Sequence, residues 1–155
     1  MLSKGLLAGA AGTAALDLYS YGDMFVRGRP ASELPATVIA KLATRLGFAA
    51  FADAADEATK NRRRALGTLL GYGVGLGAGV AYALIRPKAE RFLPWPVAGV
   101  ILGAATLVAS EGSATALGAT DWSTWSASEW ASDIVPRTLY GLTAAWVVES
   151  FDFFY

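Results

Sequence analysis

Two carboxylates stand where carboxylates are expensive. Asp17 lies inside the apolar stretch 6–26 and Glu111 inside the apolar stretch 95–117. A carboxylate surrounded by hydrocarbon must pair, protonate or face water. Asp17 precedes Arg27 by ten residues, and Glu111 precedes Trp122 by eleven. If the two stretches run the same way through one bundle, the carboxyls reach a similar depth. Two carboxyls sharing a site hold one proton between them, because each opposes ionisation of the other. That is the arrangement of a proton or cation relay. The same positions equally suit a structural network with Tyr19, Ser20, Ser110, Ser113 and Thr115, whose hydrogen bonds would fix helix packing.

Asp23 and Arg137 form a second candidate pair. Each lies about one turn inside the boundary facing the long basic connection, and a salt bridge between them would lower the cost of burying either. Glu149 stands near the opposite end of the last apolar stretch, within reach of an interface. The run Arg62, Arg63, Arg64 suits anionic lipid headgroups or serves as a topology signal. Trp122, Trp125 and Trp130 suit interface anchoring or an aromatic binding box.

The inventory excludes much else. The 155 residues contain no Cys and no His. Disulfides, thiolate and imidazole metal sites and Ser–His or Cys–His catalysis are therefore absent. No dinucleotide fingerprint or phosphate loop occurs, and Gly71, Gly73 and Gly75 lack the Lys-Ser/Thr that such a loop needs. Net charge is zero, which gives nucleic-acid binding no global electrostatic support. The expectation is a chain that is not an enzyme and carries no metal and no cofactor.

Charged residues make up 17% of the chain, against about 25% in soluble domains, and mean hydropathy is +0.40. Eight of the thirteen Lys and Arg fall between Arg27 and Arg64. Apolar stretches of roughly 20 residues, the length that spans a bilayer as a helix, occupy the intervals between charged clusters. The reading is an all-α integral membrane bundle forming one domain over residues 1–155. Its four transmembrane helices cover about 6–26, 66–85, 95–117 and 134–150. Lys4 before an Ala-rich stretch also fits a signal peptide, though the apolar and aromatic run continues past Asp17 to Val26, as a packed span would.

Between the first two spans, Val38, Ile39, Leu42 and Leu46 share one helical face opposite Lys41, Thr44 and Arg45. This predicts an amphipathic helix over about 36–48, lying on the membrane surface or packed on the bundle. Asp53, Asp56, Glu57 and Lys60 continue as a solvated helical stretch into the second span. Pro87, Pro94 and Pro96 punctuate the loop after it. Ser126 and Glu129 have capping-box spacing and start a short helix, and Pro136 permits a bend into the last span.

Gly67, Gly71, Gly75 and Gly79 recur every four residues and so share a face. Gly5 with Gly9 and Gly99 with Gly103 repeat the pattern. Small residues let helix backbones approach closely in lipid, either within the chain or at a seam between copies. Placing the long first loop in the cytoplasm puts nine Lys and Arg on that side and four on the other. The positive-inside rule then sets both termini outside.

Gly28-Arg29-Pro30-Ala31-Ser32-Glu33-Leu34-Pro35 and the run from Thr120-Asp121-Trp122 through Trp125 to Pro136 resemble segments of small, uncharacterised actinobacterial four-helix membrane proteins. The hydropathy layout is similar, more weakly, to the YagU-like inner-membrane proteins. The resemblance implies a membrane bundle and supplies no reaction, ligand or catalytic residue. The expected function is that of a structural or accessory protein of the cell membrane, the bacterial plasma membrane by this reading. Its partners would be membrane lipids and other membrane subunits or further copies of itself. The alternative is a small proton- or cation-conducting transporter using Asp17 and Glu111. A lipid-interacting enzyme is a third class, for which no nucleophile and base can be named.

Overall fold

The computed structural model describes residues 1–52 and 56–154, apart from the side chains of 152–154. Asp53 and the side chains of the aromatic tail beyond Phe151 lie outside the described residues. Regular structure among the described residues is helical. Helix α1 spans Leu2–Arg27, α2 Leu34–Leu46, α3 Ala49–Ala52, α4 Glu57–Ala89, α5 Trp95–Ala116 and α6 Ala127–Phe154. A single 3₁₀ turn, Trp122–Thr124, precedes α6.

Local chemistry sets the boundaries. Gly28 ends α1 at φ 62° and Gly47 ends α2 at φ 77°, a left-handed conformation that glycine adopts without steric cost. The Asp56 side chain accepts from Thr59 N and starts α4, as an N-cap does. The expected capping box is present. Ser126 N donates to Glu129 Oε2 at 2.7 Å, and Glu129 N donates to Ser126 Oγ at 3.3 Å.

Two proline boundaries fall differently from expectation. The second span was expected to stop before Pro87, yet α4 continues to Ala89. The short helix expected from Ser126 and the last span form one continuous α6 with Pro136 inside it. A proline costs a helix one N–H donor and crowds one carbonyl. At Pro87 that cost falls in the last turn. Before Pro136, the capping box and side-chain bonds to α1 hold the preceding turns in place: Arg27 reaches Ser128 at 2.8 Å and Ser132 at 2.9 Å.

The four long helices pack in the order α4–α1–α6–α5, each antiparallel to its neighbour. Gly5 meets Val80 and Gly9 meets Gly75 along α1 and α4. Gly12 meets Tyr140 between α1 and α6, and Gly99 and Gly103 meet Leu142 and Arg137 between α5 and α6. Consecutive α4 and α5 touch only sparsely. Helix α1 is thus clasped on two faces, both lined with small residues: Gly5, Ala8, Gly9 and Gly12 are its buried positions. The Tyr140 ring passes Gly12, and its hydroxyl donates to Gly75 O at 2.5 Å. Through that notch α6 reaches past α1 to α4.

Side chains are distributed in the reverse of a soluble domain. The buried positions are mostly Gly and Ala, with Thr59, Arg86, Thr106 and Glu111 as the buried polar or charged ones. Many of the large aliphatic and aromatic residues point outward, with Tyr82, Tyr140 and Val148 among the buried exceptions. Phe25 is 89% exposed and Val26 81%, and Leu18, Leu69, Leu84, Ile101, Val108 and Trp146 are exposed with them. By length and composition, α4 and α5 are able to cross a membrane. That is two helices where four spans were expected. Helices α1 and α6 are long enough, but their carboxylates and arginines dilute the apolar run.

The amphipathic helix falls at 34–46, close to its expected place, and packs on the bundle: Gly67 of α4 lies against Pro35, and Ala43 is buried. Gly71 departs from the expected seam. A side chain there would meet open space, as it would at Gly73 and Gly77, whereas Gly67, Gly75 and Gly79 face backbone or side chains of other elements. Gly67 serves α2 while Gly75 and Gly79 serve α1, and Gly71 falls between the two contacts. Leucine at Gly79 or Gly9 should therefore lower stability by at least the roughly 1–3 kcal/mol of overpacking, and leucine at Gly71 should change it by less than about 0.5 kcal/mol. Thermal unfolding in mild detergent checks this. Equal losses at Gly71 and Gly79 would contradict the packing described.

Candidate functional site

The buried charges gather where the glycine contacts bring helices together. Close approach of α5 and α6 at Gly103 places Arg137 against α5. Its Nη2 donates to Glu111 Oε1 at 2.8 Å and to Ser110 Oγ at 3.0 Å, and its Nη1 donates to Thr106 O at 3.4 Å. Its Nε bonds Asp133, one turn earlier on α6, at 3.2 Å. Glu111 is only 2% exposed. Its Oε2 is buried without a hydrogen-bond partner among the described residues, as is Thr115 Oγ1 one turn further along α5.

A second ion pair closes the other end. Arg86, 5% exposed, donates from Nε to Glu149 Oε1 and from Nη1 to Leu93 O, both at 2.6 Å. One guanidinium thus ties the end of α4, the 90–94 connection and α6. Glu149 does more than reach the interface, as expected of it; it neutralises Arg86.

Asp17 and Glu111 bond to different helices. Asp17 accepts from Tyr72 OH of α4 at 3.1 Å and lines a cleft of about 310 Å³ with Ala10, Thr13, Ala14 and Leu76. Glu111 pairs with Arg137 of α6. The two share no hydrogen bond among the described residues, and each is bonded to a different neighbouring helix. Equal depth is no guarantee of a shared face, because rotation about each helix axis decides which neighbour a side chain meets. The Asp23–Arg137 pair is likewise replaced. Asp23 bonds Arg29 at 2.5 Å and lies 3.5 Å from Arg27, four residues on in α1. The left-handed turn at Gly28 folds Arg29 back onto α1 and supplies a nearer partner. In the anticipated network, Ser110 joins Arg137 and Glu111, while Ser113 bonds its own helix at Ser110 O.

The arginine run is divided. Arg63 Nε donates to Phe51 O at 2.6 Å, and Arg64 pairs with Glu33 at 2.8 Å. Arg62 is exposed and makes no such bond among the described residues. Arg45, from α2, donates to Ala116 O at the end of α5, where a cation complements the helix dipole. The tryptophans form one group: Trp130 stacks on Trp122 with centroids 6.4 Å apart and meets Trp125 at 5.2 Å. Trp122 lies beside Gly112 of α5, so the group covers the end of the helix that carries Glu111.

The Arg86–Glu149 and Glu111–Arg137 pairs went unread in the sequence, though a signal was there. Arg86 and Glu149 have opposite charge at the same end of their spans, and Glu111 and Arg137 also match in depth. No protein-family model, curated protein or solved structure matches the chain, and its function has to be read from its own geometry.

Removing one member of a buried ion pair strands the other. Arg86→Met should cost about 3–5 kcal/mol, and adding Glu149→Leu should restore much of it; non-recovery in a melting assay would show that the pair itself is not the source. At the Trp turn, hydrogen bonds from Ser126 hold Glu129 below the usual carboxylate range, and those from Ser123 do the same for Asp121. A depressed carboxyl stabilises above its unfolded value, near 4, and that contribution fades as pH falls through the lowered value. Acidification below about pH 4 should loosen this turn, seen as a change in tryptophan fluorescence. Glu129→Gln with Asp121→Asn should remove the step, and an unchanged step would assign it elsewhere.

Proposed function

We propose that the chain is a four-span protein of the bacterial plasma membrane with a structural, non-enzymatic role as an accessory subunit. The observation that carries the membrane reading is the inverted distribution of side chains: large apolar groups outside, small and charged ones within. In water such a surface would be an aggregation liability. In lipid it is the required exterior, and small residues become the packing surface.

The carboxylates of α1 and α6 do not oppose crossing. Asp23, Asp133 and Glu149 are each in an ion pair, and Asp17 has Tyr72. A charge neutralised inside the bundle is far cheaper than one facing lipid. The resemblance to small actinobacterial membrane proteins agrees with this reading. Its two segments coincide with the Gly28 turn and the Ser126–Glu129 cap, which terminate spans.

The accessory role rests on α4. Its outer positions Gly71, Gly73 and Gly77 face open space within the chain, so a neighbouring helix can approach its backbone there. The excess of Lys and Arg at the end holding Arg27–Arg64 sets that end in the cytoplasm.

Two measurements test this reading. The chain should stay with membranes through an alkaline carbonate wash, and release into the supernatant would refute the membrane placement. Cysteines at Ser3 and at exposed Ala50 should be labelled from outside and only after permeabilisation, respectively; the reverse pattern would invert the orientation. A stoichiometric membrane partner retained in mild detergent should be lost with Gly73→Leu and Gly77→Leu. Purification as a lone monomer from native membranes would contradict the accessory role.

A further inference from the structure

Glu111 is the most deeply buried of the described charged residues, and half of its carboxylate is unused. Oε1 accepts from Arg137 and Ser110. Oε2 is sealed from solvent and accepts no hydrogen bond among the described residues, and Thr115 Oγ1 is sealed and unpartnered among them too. Residues four apart share a helix face, so these two oxygens line the same side of α5, one turn apart. The charges around them do not cancel. Glu111 and Asp133 bring two negative charges, and Arg137 brings one positive. Those two α6 residues are the charged groups that face Glu111, with Ser110 the polar group on its own helix. An uncompensated buried charge and an orphaned acceptor each cost free energy, and one positive charge placed between the oxygens relieves both.

We propose that the cluster of Glu111, Thr115 and Asp133 takes up one positive charge, either a proton on Glu111 or an alkali-metal ion held by oxygen donors. The donors are all oxygen, which suits hard cations, and the net charge of the cluster matches a single positive unit. Trp122 beside Gly112 covers the approach from the 117–126 connection, so charge uptake from the cytoplasmic end of the proposed topology requires that side chain to move. Asp17 is not part of it, and the proposal does not depend on an accessory role.

The test uses the full chain in lipid nanodiscs. One arm follows the infrared carbonyl band of protonated carboxyls between about pH 5 and pH 9, at low sodium. The other follows melting temperature as sodium chloride replaces N-methylglucamine chloride at fixed pH, since a ligand bound only by the folded state raises that temperature. A protonated-carboxyl band lost in Glu111→Gln identifies the proton; a sodium-dependent rise lost in Glu111→Gln identifies the alkali ion. In the second case, Thr115→Val and Asp133→Asn should each weaken sodium binding about tenfold, the scale of one lost charge or ligand. In the first, Asp17→Asn should leave the band intact and Asp133→Asn should shift its titration. If Glu111→Gln does not fold, Thr115→Val and Asp133→Asn decide alone. The proposal is overturned if Glu111 stays ionised and stability ignores sodium. It is equally overturned if the response survives Glu111→Gln, or if Thr115→Val and Asp133→Asn leave it unaltered.

Discussion

The structure depends on how closely α1 approaches its two neighbours. Gly5 and Gly9 lie against the backbone of α4, and Gly12 admits the ring of Tyr140 from α6. In the proposed membrane setting, where lipid offers no hydrophobic drive between helices, stability comes from dispersion contacts and internal hydrogen bonds, and both need short interhelical distances. Tyr140 adds a polar lock to this contact. Its hydroxyl, buried among apolar groups, is satisfied by a carbonyl two helices away, which fixes the relative height of α6 and α4 across α1. The second close contact, at Gly99, Gly103 and Gly141, does the same for α5 and α6.

The charged interior follows from that packing. Helices held this close bring Arg137 to Glu111 and Arg86 to Glu149, one pair toward each end. Such pairs are weak sources of stability, since the Coulombic gain is set against desolvation. Their effect is on specificity. A rotated or shifted helix would strand a charge in a low-dielectric interior, so the pairs penalise wrong registers more than they reward the right one. Arginines also fasten the connecting segments: Arg27 to α6, Arg45 to the end of α5, Arg63 to Phe51 and Arg64 to Glu33.

Much of the fold was legible in the sequence, and the site was not. The stretch 95–117 matches α5 almost residue for residue, and 6–26 lies within α1, because apolar length and glycine or proline punctuation are local properties. Gly67, Gly75 and Gly79 meet other elements of the chain and Gly71 does not, because a four-residue period gives a face but not where neighbours cross it. The pairing of Asp17 with Tyr72 and of Glu111 with Arg137 depends on helix rotation, which no single-sequence periodicity supplies for helices polar on several sides. Gly12 and Gly141 escaped notice for a related reason: neither belongs to a four-residue repeat, yet each is where another helix comes nearest.

The central claim is that the apolar outer faces of α1, α4, α5 and α6 lie in lipid around a small-residue, charged interior. Spin labels at the exposed positions Val74, Ile101 and Trp146 in bilayers test it most directly, through their relative collision rates with dissolved oxygen and with a water-soluble nickel chelate. The account predicts strong oxygen collision and protection from the chelate at all three. Chelate access equal to that of a label at exposed Thr44 would contradict it.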